Sequence, residues 1–172
     1  RLADGFDFPV GKPDARGYYK ARGVRLHGHL GEDWDGVGGG DTDLGDPIYT
    51  IGDGVVVFAR DCHQGWGNVV IVRHAYREGS VVRNVDSLYG HLEKILVRRG
   101  QAVRRGQQVG TMGTAHGLYD SHLHLEVRKN TYDSRIQWDK LRNYSHAHTG
   151  GGSSESADAL KKALAAQSEN AH

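Results

Sequence analysis

Cysteine is almost missing from this chain: Cys62 is the single thiol in 172 residues. One thiol closes no internal disulfide and supplies no cysteine-rich metal site, so an oxidising compartment is neither required nor excluded. An excess of charge is missing too. Lys and Arg number 22 against 21 Asp and Glu, and a balance that close names no charged partner. No apolar run approaches the length of a membrane span, and no signal-peptide pattern is present. The chain starts at Arg1 rather than Met, so it reads as a mature or truncated piece from which an export signal would be gone. Gly36-Val37-Gly38-Gly39-Gly40 lacks the Lys-Ser/Thr that follows in a phosphate loop and does not sit between a strand and a helix. It is read as a surface loop at the rim of a groove, not as a nucleotide site.

What is present is glycine, 25 residues of it, punctuating short β-branched runs at Val55–Phe58, Val69–Val72, Ile95–Val97 and Leu123–Val127. That spacing predicts a mainly β fold: an antiparallel β-sheet core with an open groove. A six-residue echo lies within it, Val97-Arg98-Arg99-Gly100-Gln101 and then Val103-Arg104-Arg105-Gly106-Gln107. Each unit offers one inward valine and one glycine turn with its arginines outside. No aromatic platform is interleaved with the four arginines, so they read as a solvated face and not as a nucleic-acid surface. The length suits one domain with a tail. We expect the domain over 1–145, a flexible linker over 146–155 (Thr149–Ser154 is glycine- and serine-rich) and a short tail over 156–172. Leu160 and Leu164, spaced i and i+4 in an alanine-rich stretch, predict a short C-terminal helix there.

Two clusters carry the chemistry: His29-Leu30-Gly31-Glu32-Asp33 and His122-Leu123-His124-Leu125-Glu126. In the second, imidazoles alternate with leucines as on a half-buried strand. His122 and His124 would share one face while Leu123 and Leu125 enter the core. His29 and Asp33 fall on one side whether their segment is extended or makes one helical turn, and Gly31 favours the extended or loop form. Two imidazoles and one carboxylate make a catalytic-type zinc site with a fourth position for water, leaving His122 as an unligated neighbour. Taken alone the pattern is weak, since His27-Gly28-His29 and His146-Ala147-His148 repeat it in a chain of eleven histidines.

The surrounding motifs sharpen it. In order come Gly45-Asp46-Pro47-Ile48-Tyr49, Asp53-Gly54-Val55-Val56, Gly65-Trp66-Gly67-Asn68-Val69-Val70-Ile71, Tyr89-Gly90-His91-Leu92, the valine–glycine ladder from Val97 to Gly110, and the His122–Glu126 strand. From about residue 27 to 128 this order resembles the lysostaphin/LytM-type zinc metallopeptidases, which cut peptide cross-links in bacterial cell walls. The resemblance implies one Zn²⁺ per chain on His29, Asp33 and His124, and two catalytic, non-ligand histidines, His91 and His122. No motif position is missing, unlike in the family's degenerate members. One departure is a glycine- and aspartate-rich loop over Trp34–Leu44, directly after the first metal motif.

The function so implied is zinc-dependent endopeptidase action on peptidoglycan peptides, outside the cytoplasm and without membrane insertion. Metal-bound water is the nucleophile and the two histidines handle its proton. The His-Glu-x-x-His glutamate of commoner zinc proteases is absent, and an imidazole near its ordinary pKa of about 6.5 is the natural replacement. The surface arginines leave room for a weak contact with anionic wall polymers. Glu126 shares parity with the histidines and either orients a ligand or lies on the surface. Asn68, Tyr18 and Tyr19 are weaker candidates for substrate contact, and His63, His74, His116 and His172 read as structural or surface residues. The alternative is a non-catalytic peptidoglycan-binding or hydrolase-activating LytM-like module. A cupin-like metal barrel would account for 117–124 but not for His29, Asp33 and His91.

Overall fold

The structure, a computed structural model, describes residues 1–23, 29, 31–63 and 65–128, with the backbone of Ser154–Glu155. The strands are β1 (Tyr18–Arg22), β2 (Glu32–Gly36), β3 (Pro47–Tyr49), β4 (Gly54–Asp61), β5 (Asn68–Glu78) and β6 (Val81–Leu92). They continue with β7 (Lys94–Ile95), β8 (Ala102–Val103), β9 (Gln108–Thr111), β10 (Leu123–Arg128) and β11 (Ser154–Glu155). A large sheet runs β1-β2-β10-β6-β5-β4-β8, with β11 also paired to β10, and a small one runs β3-β9-β7. Among the described residues every strand pairing is antiparallel, and the sheets do not close into a barrel. The mainly β, antiparallel expectation is borne out. The rest of the expected linker and the C-terminal helix lie outside the described residues.

Alternation decides which face is which. Val56, Val70, Val72, Tyr89, Leu123, Leu125 and Val127 of the large sheet share one apolar core with Ile48 and Val109 of the small one. Their sequence neighbours Val69, Ile71 and Leu88 form a second cluster with Val57, Phe58, Cys62 and Trp66. Along β10 the apolar Leu123, Leu125 and Val127 enter the main core, so His124, Glu126 and Arg128 emerge on the opposite face. The centre of the sheet therefore sets β10 beside β2 on one side and β6 on the other, pairing His124 with Asp33 and with Gly90.

Two stretches differ from the sequence reading. Trp34–Gly36, expected in a loop, complete β2, because β1 pairs with all three residues and β10 pairs with Trp34 on the other side. Of the Ile95–Val97 run only Ile95 lies in a strand. The arginine echo behaves as expected. Val97 and Val103 are buried, and Gly100 and Gly106 turn at φ +85° and +74°. Gln101 and Gln107 each close their turn with a side-chain oxygen, accepting Arg98 N–H and Arg104 N–H.

Inside the main core lies a buried polar chain. His74 Nδ1–H donates to the Asp53 carbonyl at 2.8 Å, and Nε2 lies 2.7 Å from Ser87 Oγ. Ser87 Oγ is 2.8 Å from the Tyr89 hydroxyl, which accepts Ile51 N–H at 2.9 Å. Complete burial pushes the His74 pKa down to about 4, so the folded chain holds it neutral. Between about pH 6.5 and 4 the unfolded chain binds a proton that the folded chain refuses, so stability falls as pH drops through that window. At about 1.4 kcal/mol per pKa unit the loss is on the order of 3 kcal/mol. Urea midpoints at pH 7 and pH 4.5 should separate more for the parent than for His74→Gln. Equal separations would remove His74 as the source.

Candidate metal centre

The structure brings the five sequence-selected residues to one face. His29 Nε2 lies 3.1 Å from Asp33 Oδ1, and His124 Nδ1 lies 3.0 Å from the same oxygen. The donor atoms of His29, Asp33 and His124 all fall within 4.8 Å of one another. Ligand atoms on a four-coordinate zinc ion stand about 3.3–3.5 Å apart, so little rearrangement separates this cluster from a ligand shell.

The remaining ring nitrogens decide which atoms are free to ligate. His29 Nδ1–H donates to the Gly23 carbonyl at 3.1 Å, which leaves the Nε2 lone pair facing Asp33. His124 Nε2–H donates to Glu126 Oε1 at 2.9 Å, which leaves Nδ1 facing Asp33. Glu126 is fixed in turn by Arg128, whose Nε and Nη2 reach Oε2 at 3.2 and 3.1 Å. Both are buried, so of the two readings of Glu126 the orienting one holds. Gly31 is the residue that lets the first motif approach: a Cβ there would stand 2.8 Å from the His124 ring and 2.6 Å from the Leu125 carbonyl.

Electrostatics agree with a cation site. Burial pushes Asp33 upward, but the His124 and His29 rings, each with a nitrogen within hydrogen-bond distance of the carboxylate, outweigh it and hold the carboxyl far below the usual carboxylate range. Burial likewise opposes a charged His124, yet Asp33 and Glu126 on either side of the ring raise its pKa above the ordinary value. A proton on His124 is thus what a metal ion would displace, so metal uptake at this cluster would release protons and weaken on acidification.

His91 and His122 stand alongside. Ring centroids are 4.7 Å apart between His91 and His122 and 5.4 Å between His91 and His124. His91 occupies φ +64°, an uncommon region for a non-glycine residue, and Trp66 holds it there. The Trp66 carbonyl accepts His91 N–H at 2.8 Å and lies 3.2 Å from His91 Nδ1. Burial, with the neighbouring His124 and His122, pushes the His91 pKa down to about 3, so its ring is neutral near pH 7 with Nε2 as a lone pair. His122 Nδ1–H donates to the Asp120 carbonyl at 2.8 Å, and its Nε2 lies 3.8 Å from Asp33 Oδ1.

Supporting residues come from unexpected places. The aspartate-rich loop reaches the entry to β10: Asp41 Oδ1 accepts Ser121 N–H at 2.7 Å, and Asp43, itself buried, bonds Ser121 Oγ and accepts Gly36 N–H. The loop therefore braces His122 as well as bordering the site. The Trp66 ring packs edge-on against His124 at 5.6 Å, and Tyr119 packs against His91 and His122 at 5.0 and 5.8 Å. Neither Trp66 nor Arg128 was singled out from sequence. Strand parity 124, 126, 128 was the available signal for Arg128. Asn68 donates to the Leu92 and Glu93 carbonyls, a structural role, and Tyr18 bonds Asp46.

Comparison with known proteins follows the same lines. The profile of Peptidase family M23 matches residues 29–136, well over half of the chain. Peptidoglycan DD-endopeptidase ShyA of Vibrio cholerae is 42% identical over 84 residues, 49% of this chain and 18% of that protein. Murein hydrolase activator NlpD of Escherichia coli K12 is 37% identical over 86 residues, 49% of this chain and 20% of that protein. The matched region thus spans about a fifth of these relatives' length. A solved Pseudomonas aeruginosa structure assigned to peptidase M23 superposes with a TM-score of 0.52 at 27% identity, covering 74% of this chain and 48% of that one.

Proposed function

The chain belongs to peptidase family M23, and from that premise we propose that it is a zinc-dependent endopeptidase that hydrolyses peptide cross-links of bacterial peptidoglycan outside the cytoplasm. The observation that carries this is the convergence of His29 Nε2 and His124 Nδ1 on Asp33, each with its other ring nitrogen committed to a carbonyl or carboxylate. Two neutral imidazoles and one carboxylate would hold Zn²⁺ with net charge near +1. When bound, the ion lowers the pKa of water and polarises the scissile carbonyl.

The chain's own residues supply the rest. Glu126, held by Arg128, fixes the His124 ring and keeps its Nδ1 lone pair aimed inward. Asp33 supplies the anionic donor. His91 and His122 each commit Nδ1 to a backbone carbonyl and keep Nε2 for transfer of a proton from water to the leaving amine, and burial makes His91 a weaker base than an ordinary imidazole. No helix among the described residues is long and apolar enough to cross a membrane.

The similarity to a protein named a murein hydrolase activator supports a second reading, a non-catalytic module that activates another hydrolase. The complete set of five residues favours catalysis. The test is digestion of purified cross-linked muropeptides with no other hydrolase present, followed by identification of new amino termini. Similarity to a DD-endopeptidase makes D-alanyl cross-links the first substrate and glycine bridges the second. New termini from either support the enzyme. None from either, with stimulation of an added wall hydrolase, supports the activator.

A further inference from the structure

Two loops flank His91 and His122, and a single carboxylate joins them. Asp61 ends β4, and His63 follows in the β4–β5 loop, with Nδ1 3.2 Å from Asp61 Oδ2. His116, 55 residues away in the β9–β10 loop, sets Nε2 3.1 Å from Asp61 Oδ1. Both histidines take left-handed backbone conformations, φ +56° and +58°, and their side chains remain largely exposed. Asp61 Oδ1 also accepts His63 N–H at 2.9 Å, which closes the turn. Among the described residues no Lys or Arg pairs with Asp61; its ionic neighbours are the two imidazoles.

We propose that Asp61, His63 and His116 form a second, peripheral zinc site that ties the β4–β5 loop to the β9–β10 loop. Two imidazoles and a carboxylate suit Zn²⁺. His63 Nδ1 and His116 Nε2 approach opposite oxygens of the Asp61 carboxylate, at 3.2 and 3.1 Å, and the exposed histidine side chains must turn to bring both nitrogens onto one ion. The loops touch at their backbones: a Cβ on Gly67 would stand 2.9 Å from Ala115 Cα. One loop carries the Trp66 carbonyl that holds His91, and the other carries Tyr119, which packs on His91 and His122. An ion here fixes the wall beside both imidazoles. It is the weaker of the two sites, because its ligands are exposed and lose more freedom on binding.

The proposal holds whether or not the chain is a peptidase. Equilibrium dialysis of the full chain against rising zinc, with metal per chain read by elemental analysis, tests it. The parent takes up a second equivalent after the first. Asp61→Asn, which preserves the acceptor for His63 N–H, and His116→Gln keep the first and lose the second. In the parent, His63 and His116 ring-nitrogen signals shift as the second equivalent enters. Saturation of the parent at one zinc, a second equivalent that persists in both variants, or His63 and His116 signals that stay fixed overturns the site. In His124→Ala the tighter equivalent goes and the weaker one stays; a variant that still takes up two equivalents would instead overturn the metal centre under Proposed function and leave this result standing.

Discussion

Asp33→Ala is expected to lose zinc and cleavage together. Its Oδ1 is the point on which His29 and His124 converge, and it is the only anionic donor of the three. Its removal leaves two imidazoles 5.0 Å apart between ring centroids with no carboxylate to neutralise the ion. Removing an outer partner of a metal ligand typically costs 10- to 100-fold in affinity, and loss of an inner ligand should exceed that. Elemental analysis should find the variant without the tighter of the parent's zinc equivalents, and muropeptide cleavage should fall below detection. Retention of that tighter equivalent would move the ion off this cluster. The fold should survive, because the rest of β2 keeps its pairing with β1 and β10.

His91→Ala and His122→Ala are expected to split what Asp33→Ala joins. Neither ring nitrogen is needed to ligate, so both variants should keep zinc while turnover falls. General acid–base groups contribute about 10²- to 10⁴-fold, or about 3–5 kcal/mol of barrier. The two should differ in structural cost. His91 sits at φ +64° and is buried, so alanine there removes packing against Trp66, Tyr119 and His122. His122 lies at the edge of β10, with a side chain 16% exposed, and its loss should be felt almost wholly in kcat. A zinc-loaded His91→Ala that cleaves at the parent rate would leave the proton to His122 or to solvent.

Much of this site was legible because strand parity is a short-range rule. His122-x-His124 had to show one face to the same side, and the alternating leucines said which face was core. The partners across the sheet were legible only through the order of motifs, since no local pattern says that β10 lies between β2 and β6. What stayed hidden depends on tertiary context. Trp34–Gly36 read as loop because glycine and aspartate follow, yet pairing with β1 fixes all three and β10 also holds Trp34. β6 begins with Val81, Val82, Arg83 and Asn84, all exposed, and shows no alternation until Val85 enters the core. Trp66 acts through its backbone carbonyl, which no side-chain pattern reveals. The aspartates at 41 and 43 read only as part of a loop but secure Ser121, eighty and seventy-eight residues away in sequence.

The measurement closest to the central claim compares one preparation in two metal states. The chain is stripped with chelator, half of it is restored with one equivalent of Zn²⁺, and both halves are given cross-linked muropeptides with no other hydrolase. Zinc content and new amino termini are then read side by side. The account predicts about one zinc per chain and new termini in the restored half, and neither in the stripped half. A restored half that holds its zinc on His29, Asp33 and His124 yet releases no termini from any wall type would contradict it, and would make the chain a metal-bearing activator instead of a peptidase.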